Sequence, residues 1–225
     1  MAGAPSASLS ARVAYASSLA LPSAPHLARG TAPFGTTTLD RMEDPIRSAL
    51  RDHVLEHSVK RGEFTLKSGA TSTWFLDTKQ TACRPDGITL VARAALALIP
   101  PEATAIGGLT MGADPVAFGV AAIGALNGRS LRSFSIRKEA KDHGVQGRIA
   151  GALAPGDKVV ITEDTSTRGT SALEAAEVVR AYGAEPIMIL AIVDRGGTAT
   201  AMAAEQGITF VSLLTAPDLG FEFGS

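Results

Sequence analysis

Cysteine is all but missing from this chain: Cys83 stands alone in 225 residues. A lone thiol closes no internal disulfide and anchors no cysteine metal cluster. That points to a reducing compartment, and a cytoplasmic protein is expected. Net charge is also nearly missing, at a formal −1. General nucleic-acid binding needs a basic face, so no nucleic-acid partner is expected. Long apolar runs are absent too. The richest, residues 116–126, is short and carries glycines, which excludes a bilayer span and leaves no membrane partner in view. Acids are absent until Asp40. The first forty residues are rich in Ala, Ser, Thr and Pro, with Arg12 and Arg29 as their strong cations. Residues 1–41 read as a disordered extension, or as residues ahead of a start at Met42. A transit peptide is the other reading of the same composition.

What remains, residues 42–225, has the length of one ordinary domain with a full core. Asp44 and Pro45 open a first helix, as N-cap and first helical residue, and Gly62 closes it. Ile46, Leu50, Val54, Leu55 and Val59 keep its apolar stripe. Residues 64–66 and 73–76 read as a hairpin around Ser68-Gly69. Helices are then expected at 88–99, 114–126, 171–182 and 199–205. Strands are expected at 103–109, 131–136, 159–162, 187–193 and 208–214. Alternation of this kind implies an α/β fold with a parallel sheet, helices on both faces and right-handed crossovers. The strands are continuously apolar, as strands covered on both faces should be. Residues 137–151 break the alternation. They are long, polar, glycine-bearing and without a period, and so read as a functional or disordered loop.

One stretch carries the chemistry: Lys158-Val159-Val160-Ile161-Thr162-Glu163-Asp164-Thr165-Ser166-Thr167-Arg168-Gly169-Thr170-Ser171. An apolar strand ends in two adjacent carboxylates, passes through a Thr/Ser/Gly loop and enters a helix. Backbone N–H groups, hydroxyls and the positive end of the helix dipole form a phosphate site there. The carboxylates would repel that phosphate. They suit the vicinal hydroxyls of a sugar, or a divalent cation. A phosphorylated sugar is the ligand that needs both.

This stretch resembles the 5-phosphoribosyl-1-pyrophosphate (PRPP) signature of the type I phosphoribosyltransferases. Ser135-Ile136-Arg137-Lys138-Glu139-Ala140-Lys141-Asp142-His143-Gly144 resembles the mobile catalytic loop of the orotate phosphoribosyltransferase family. Phe64-Thr65-Leu66-Lys67-Ser68-Gly69, followed by Trp74-Phe75-Leu76-Asp77, is similar to that family's N-terminal hairpin, and Val193-Asp194-Arg195 extends the likeness. The resemblance runs from about Pro45 to the C-terminus. It implies a small helix-hairpin hood over about 42–82 and a phosphoribosyltransferase core over about 83–225. It implies that orotate and PRPP, with Mg²⁺, give orotidine 5′-phosphate and pyrophosphate in pyrimidine (UMP) biosynthesis. A PRPP- or nucleotide-sensing regulator on the same fold, or a transferase for another base, is the alternative.

Residue by residue, the resemblance assigns Glu163 and Asp164 to the ribose hydroxyls. Most of the family carries two aspartates there. Thr165, Ser166, Thr167, Gly169, Thr170 and Ser171 become the 5′-phosphate cradle, with Thr167 also near orotate. Arg168 is either a solvent-facing cation or an added charge near the phosphates. Arg137, Lys141 and His143 become catalytic, and Lys138 and Lys67 join them in binding PRPP. Cations that close over departing pyrophosphate lower the barrier, and a mobile loop lets them open again. Phe75, Leu76 and Arg195 are assigned to orotate, with neighbouring Trp74 expected to report its binding. Family members are homodimers whose loops reach the partner's site. Where the family often has Tyr-Lys, this chain has Met111-Gly112, which removes one phosphate contact. No protein metal cage is implied, since Mg²⁺ would arrive with PRPP. His53 and His57 share a helix face without a third ligand, which favours surface or packing roles.

Overall fold

The computed structural model describes residues 45–65, 69, 71–141 and 147–225, the side chains of 140 and 141 excepted. The expected Asp44 cap, Lys67, Ser68, His143 and the Lys141 side chain lie outside the described residues. Among those described, no helix is long and apolar enough to cross a membrane.

Helix α1 (Pro45–His57) buries Leu50 and Val54 completely. It ends earlier than Gly62 suggests, because Val59 already starts strand β1 (Val59–Thr65). Val59 fits both the i+4 place after Leu55 and a first strand position, so periodicity alone does not separate them. Gly62 lies inside β1 instead, at φ 153°, where pairing with β2 (Thr71–Leu76) slips between Arg61 and Phe64. That is the signature of a bulge. On β2 the side chains alternate strictly. Ser72, Trp74 and Leu76 are buried, while Thr71, Thr73 and Phe75 face out.

Short α2 (Lys79–Ala82) and α3 (Pro85–Leu96) follow. Then come β3 (Ala105–Leu109), α4 (Ala113–Leu126), β4 (Arg132–Lys141), β5 (Gly147–Gly151) and β6 (Lys158–Ser166). Helix α5 (Thr170–Ala181), β7 (Glu185–Asp194), α6 (Ala199–Glu205), β8 (Thr209–Thr215) and a 3₁₀ turn (Pro217–Leu219) complete the order. The six strands β3 to β8 form one sheet in the order β5-β4-β3-β6-β7-β8. All pairs are parallel except β4 with β5.

Adjacent residues in the middle of β6 and β7 enter different cores. Val160, Leu190 and Ile192 join Leu50, Val91, Val116 and Val120 from α1, α3 and α4. Val159, Ile161 and Ile189 join Ala175, Ala176 and Val179 of α5 and Ala203 of α6. Helices therefore cover both faces, and the period of two in a strand is what sorts the side chains. Trp74 and Leu76 from the small sheet enter the first of these cores.

The expected loop at 137–151 is largely strand. β4 runs on to Lys141, and β5 returns antiparallel, pairing Ile136 with Ile149 and Lys141 with Gly147. Its sequence hid this because an edge ribbon has too little buried surface to impose an apolar alternation.

The chain leaves β3 through α4 toward β4 and leaves β6 through α5 toward β7. β3 and β6 are neighbours, so successive connections diverge from between them. In open α/β sheets the crevice at the carboxyl ends of two such strands is where ligands bind.

Candidate active site

Two cavities open at that crevice and share Glu163 and Ser171. The first, about 380 Å³, lies between the turn at Thr110–Ala113 and the end of β6. Lys79, Lys138, Glu163 and Asp164 line it. The second, about 550 Å³, lies over the start of α5 and reaches Phe75 and Arg195. Glu163 stands at the boundary between them, with Asp164 beside it on the wall of the first.

β6 delivers that pair because it outruns its neighbour β3. Pairing with β3 stops at Ile161, while pairing with β7 continues to Ser166. Asp164 is 9% exposed. Its Oδ2 accepts a hydrogen bond from Lys79 Nζ at 2.8 Å. A Cβ at position 112 would overlap its carboxylate, so Gly112 is required by the close approach of Asp164. Glu163 Oε2 is buried without a hydrogen-bond partner. Burial, and then the Asp164 charge beside it, push the Glu163 carboxyl up to about 7. Adjacent acids that hold protons differently let one stay ionised while the other exchanges a proton with a hydroxyl.

The loop after β6 turns into α5 through Gly169, at φ 75°. That left-handed position favours glycine. No side chain caps the helix, so its first N–H groups stay directed at the cavity that Thr165, Thr167, Arg168, Thr170 and Ser171 line. Thr165 shares a 2.7 Å hydrogen bond with Thr78, tying this loop to the segment that carries Lys79. On the other wall, Asp114 accepts from Thr110 and from Ser135, each at 2.6 Å, and so fixes the turn between β3 and α4.

Arg195 sits at the end of β7, 9% exposed. Its guanidinium lies 4.6 Å from the Trp74 ring centroid. It donates to Ser225 O at 2.7 Å and to Ser72 Oγ at 3.3 Å. Asp194 does not bind it. That carboxylate accepts the N–H groups of Gly196 and Gly197 instead. Arg195 is thus a buried cation held against an aromatic face at the wall of the second cavity.

No family model matches the chain. Individual proteins do. Orotate phosphoribosyltransferase of Rhodopirellula baltica is 37% identical over 172 residues, covering 73% of this chain and 89% of that one. Its counterpart in Corynebacterium glutamicum is 40% identical over 182 residues, covering 77% and 94%. The chain belongs to the orotate phosphoribosyltransferase family. Among solved structures, the Mycobacterium tuberculosis orotate phosphoribosyltransferase aligns with TM-score 0.70 at 35% identity, over 79% of this chain and all of that one. The same enzyme in complex with PRPP aligns at TM-score 0.67 and 32% identity. The fold is that of the type I phosphoribosyltransferases.

Within this orotate phosphoribosyltransferase frame, most assigned residues converge. Glu163, Asp164, Thr165, Thr167, Arg168, Gly169, Thr170, Ser171, Lys138, Phe75 and Arg195 line the paired cavities. Three side chains do not. Leu76 is 7% exposed and packs in the core, because β2 alternation that turns Phe75 outward turns Leu76 inward. Ser166 is fully buried, and its contribution is a carbonyl that accepts the Arg195 N–H at 2.8 Å. Arg137 points to the opposite side of the ribbon from Lys138. It lines a groove with Arg148 and Tyr182, and donates to Gly147 O at 3.4 Å. Trp74 is also turned inward. It is fully buried, stacked on Phe221 with ring centroids 4.0 Å apart, so it supports Arg195 from below and does not face the cavity.

Lys79 and Ser72 escaped the sequence reading. Lys79 lies two residues past Asp77, beyond the hairpin run that carries Lys67. A lysine so near a strand end carries no signal until the fold places it against β6. His53 is a packing residue as expected, 8% exposed with Nδ1 3.1 Å from Thr81 Oγ1.

Proposed function

We propose that this protein transfers the phosphoribosyl group of PRPP to orotate, releasing pyrophosphate and forming orotidine 5′-phosphate for UMP synthesis. The observation that carries the reading is the meeting of two chemically different cavities at the Glu163–Asp164 pair. One cavity has a helix N-terminus for the 5′-phosphate and an arginine beside a phenylalanine for a carboxylated ring. The other has lysines for a diphosphate. A ribose held at the acid pair spans both.

The reaction needs little from the protein beyond placement and charge. Asp164 and Glu163 accept hydrogen bonds from the ribose hydroxyls and fix the anomeric carbon between the incoming ring nitrogen and the departing pyrophosphate. Lys138 faces the leaving group, whose negative charge grows as the bond breaks. Lys141, His143 and Lys67 take the same task by family resemblance, with Arg137 carried on the same ribbon. Arg195 receives the orotate carboxylate bidentately, and Phe75 covers the ring. Among the described residues there is no cluster of three or more acidic, histidine or cysteine ligands for a metal. Mg²⁺ binds through one or two carboxylates and the oxygens of a substrate diphosphate. Glu163 and Asp164 are the carboxylates that line that space. When bound, Mg²⁺ would neutralise the diphosphate.

A homodimer completes the reading. Helix α4 bears no charged residue after Asp114, and Phe118 and Leu126 are 47% and 80% exposed, with Met111 at 69% just before it. An apolar outer helix face calls for a cover. A second copy supplies one and brings its ribbon toward this site. The exposed free thiol of Cys83 suits a reducing cytoplasm.

Loss of orotate absorbance on adding PRPP and Mg²⁺ tests the proposal. Turnover that requires all three supports it, and an unchanged orotate spectrum with active reference enzyme as control removes it.

A further inference from the structure

The cavity beside the Thr110–Ala113 turn contains a cation that no motif announced. Lys79 Nζ donates to Asp164 at 2.8 Å and lies 3.4 Å from Asp77 Oδ1. Its side chain is 44% exposed and lines the cavity opposite Lys138. An ammonium has three N–H donors. Asp164 takes one, and Asp77, at 3.4 Å, can engage at most one more. A donor is left to face the cavity.

Charge makes the position consequential. Asp164 lies on the cavity wall, where it would repel a diphosphate. The turn nearest it, Met111-Gly112, carries no cation. Gly112 instead leaves the room into which Asp164 fits. Lys79 stands against that carboxylate and compensates it from outside the turn. Burial alone would lower the ammonium, but the hydrogen bond and charge of Asp164, with Asp77 behind, together raise it. It stays protonated at any working pH. The Thr78–Thr165 hydrogen bond fixes the root of this side chain to the phosphate loop, so the ammonium is preplaced.

We propose that Lys79 is a ligand of the substrate's diphosphate, donating from the same ammonium that fixes Asp164. This rests on reading the 380 Å³ cavity as the pyrophosphate end of the site. It makes one residue serve both ends of PRPP: the diphosphate directly, and the ribose through Asp164.

Calorimetric titration separates these tasks. Magnesium pyrophosphate and, separately, ribose 5-phosphate are titrated into the wild type, Lys79→Gln and Lys79→Arg. Lys79 is half-exposed, and matched melting curves verify that the variants fold. Lys79→Gln should weaken pyrophosphate about ten- to a hundredfold, the value of a charge-assisted hydrogen bond. Ribose 5-phosphate, which Lys79 reaches only through Asp164, should weaken less than pyrophosphate, by no more than about threefold. Lys79→Arg, which keeps charge and donors, should recover most of the pyrophosphate affinity. Unchanged pyrophosphate affinity in Lys79→Gln overturns the proposal. So does a loss confined to ribose 5-phosphate, since Lys79 would then act only through Asp164. Wild-type protein that binds neither probe overturns the reading of the cavity itself.

Discussion

At the scale of single residues, the site is a set of charges whose neighbours decide their state. Glu163 ionises near 4.5 in an unfolded chain, whereas in the folded protein it keeps its proton up to about 7. Between those values the folded state binds the extra proton, so stability falls as pH rises from about 4.5 to about 7 and levels off above. Over that window the loss is about 3 kcal/mol. Glu163→Gln has no proton to lose. Its stability relative to wild type, from denaturant titration at pH 4.5 and 7.5, should improve by about that amount with rising pH. A constant difference would mean that Glu163 ionises normally. Arg195 makes a second case. Removing the partner of a bound carboxylate costs on the order of 2–5 kcal/mol. Arg195→Ala should lose orotate affinity on that scale and leave PRPP nearly untouched, as calorimetry with each ligand would show. Equal orotate affinity would take Arg195 out of the site. Much of this was legible beforehand: the acids, the phosphate loop, Phe75 and Arg195 all stand in recognisable runs. Lys79 and Ser72 did not, because their importance comes from contacts across the fold with Asp164 and Arg195, which no local pattern encodes.

At the scale of elements, the strands and helices do the sorting. Strand alternation separates Phe75 from Leu76 and Lys138 from Arg137, and the family motif, read as a string, cannot show which of each pair faces the cavity. The longer helices are legible because their apolar stripes repeat over several turns, whereas their ends shift by a few residues and the four-residue α2 carries no stripe. The β4–β5 ribbon was read as loop because it lies at the sheet edge, where burial imposes little pattern. Helix α4 shows the reverse. Its sequence is apolar all round, which reads as a buried helix, yet Phe118 and Leu126 are exposed in the single chain. The double variant Phe118→Glu, Leu126→Glu should therefore sediment at half the mass of the wild type without loss of melting cooperativity. Activity should fall with it, since each ribbon would lose its partner site. A wild type that sediments as a monomer at assay concentrations would remove the second copy from the account.

At the scale of the molecule, the topology creates the site. Connections diverge from β3 and β6, and the two cavities lined by most of the assigned residues that are described open at the carboxyl ends of those strands and of β7. The α/β class and parallel pairing followed from alternation of elements, whereas the place of divergence depends on strand order, which periodicity does not contain. Residues 1–41 are rich in Ala, Ser, Thr and Pro, which offers few large apolar side chains for packing. A chain beginning at Met42 should thus keep the melting temperature and turnover of the full-length protein, and a drop of many degrees would assign residues 1–41 a structural part. The central claim is a choice of acceptor base, and a competition tests it most directly. Equal concentrations of orotate, uracil and adenine are offered together with PRPP and Mg²⁺, and the products are resolved by chromatography. The account predicts orotidine 5′-phosphate as the dominant nucleotide, matched by an equal amount of pyrophosphate. Accumulation of the uracil or adenine nucleotide instead, with orotate unconsumed, would contradict it.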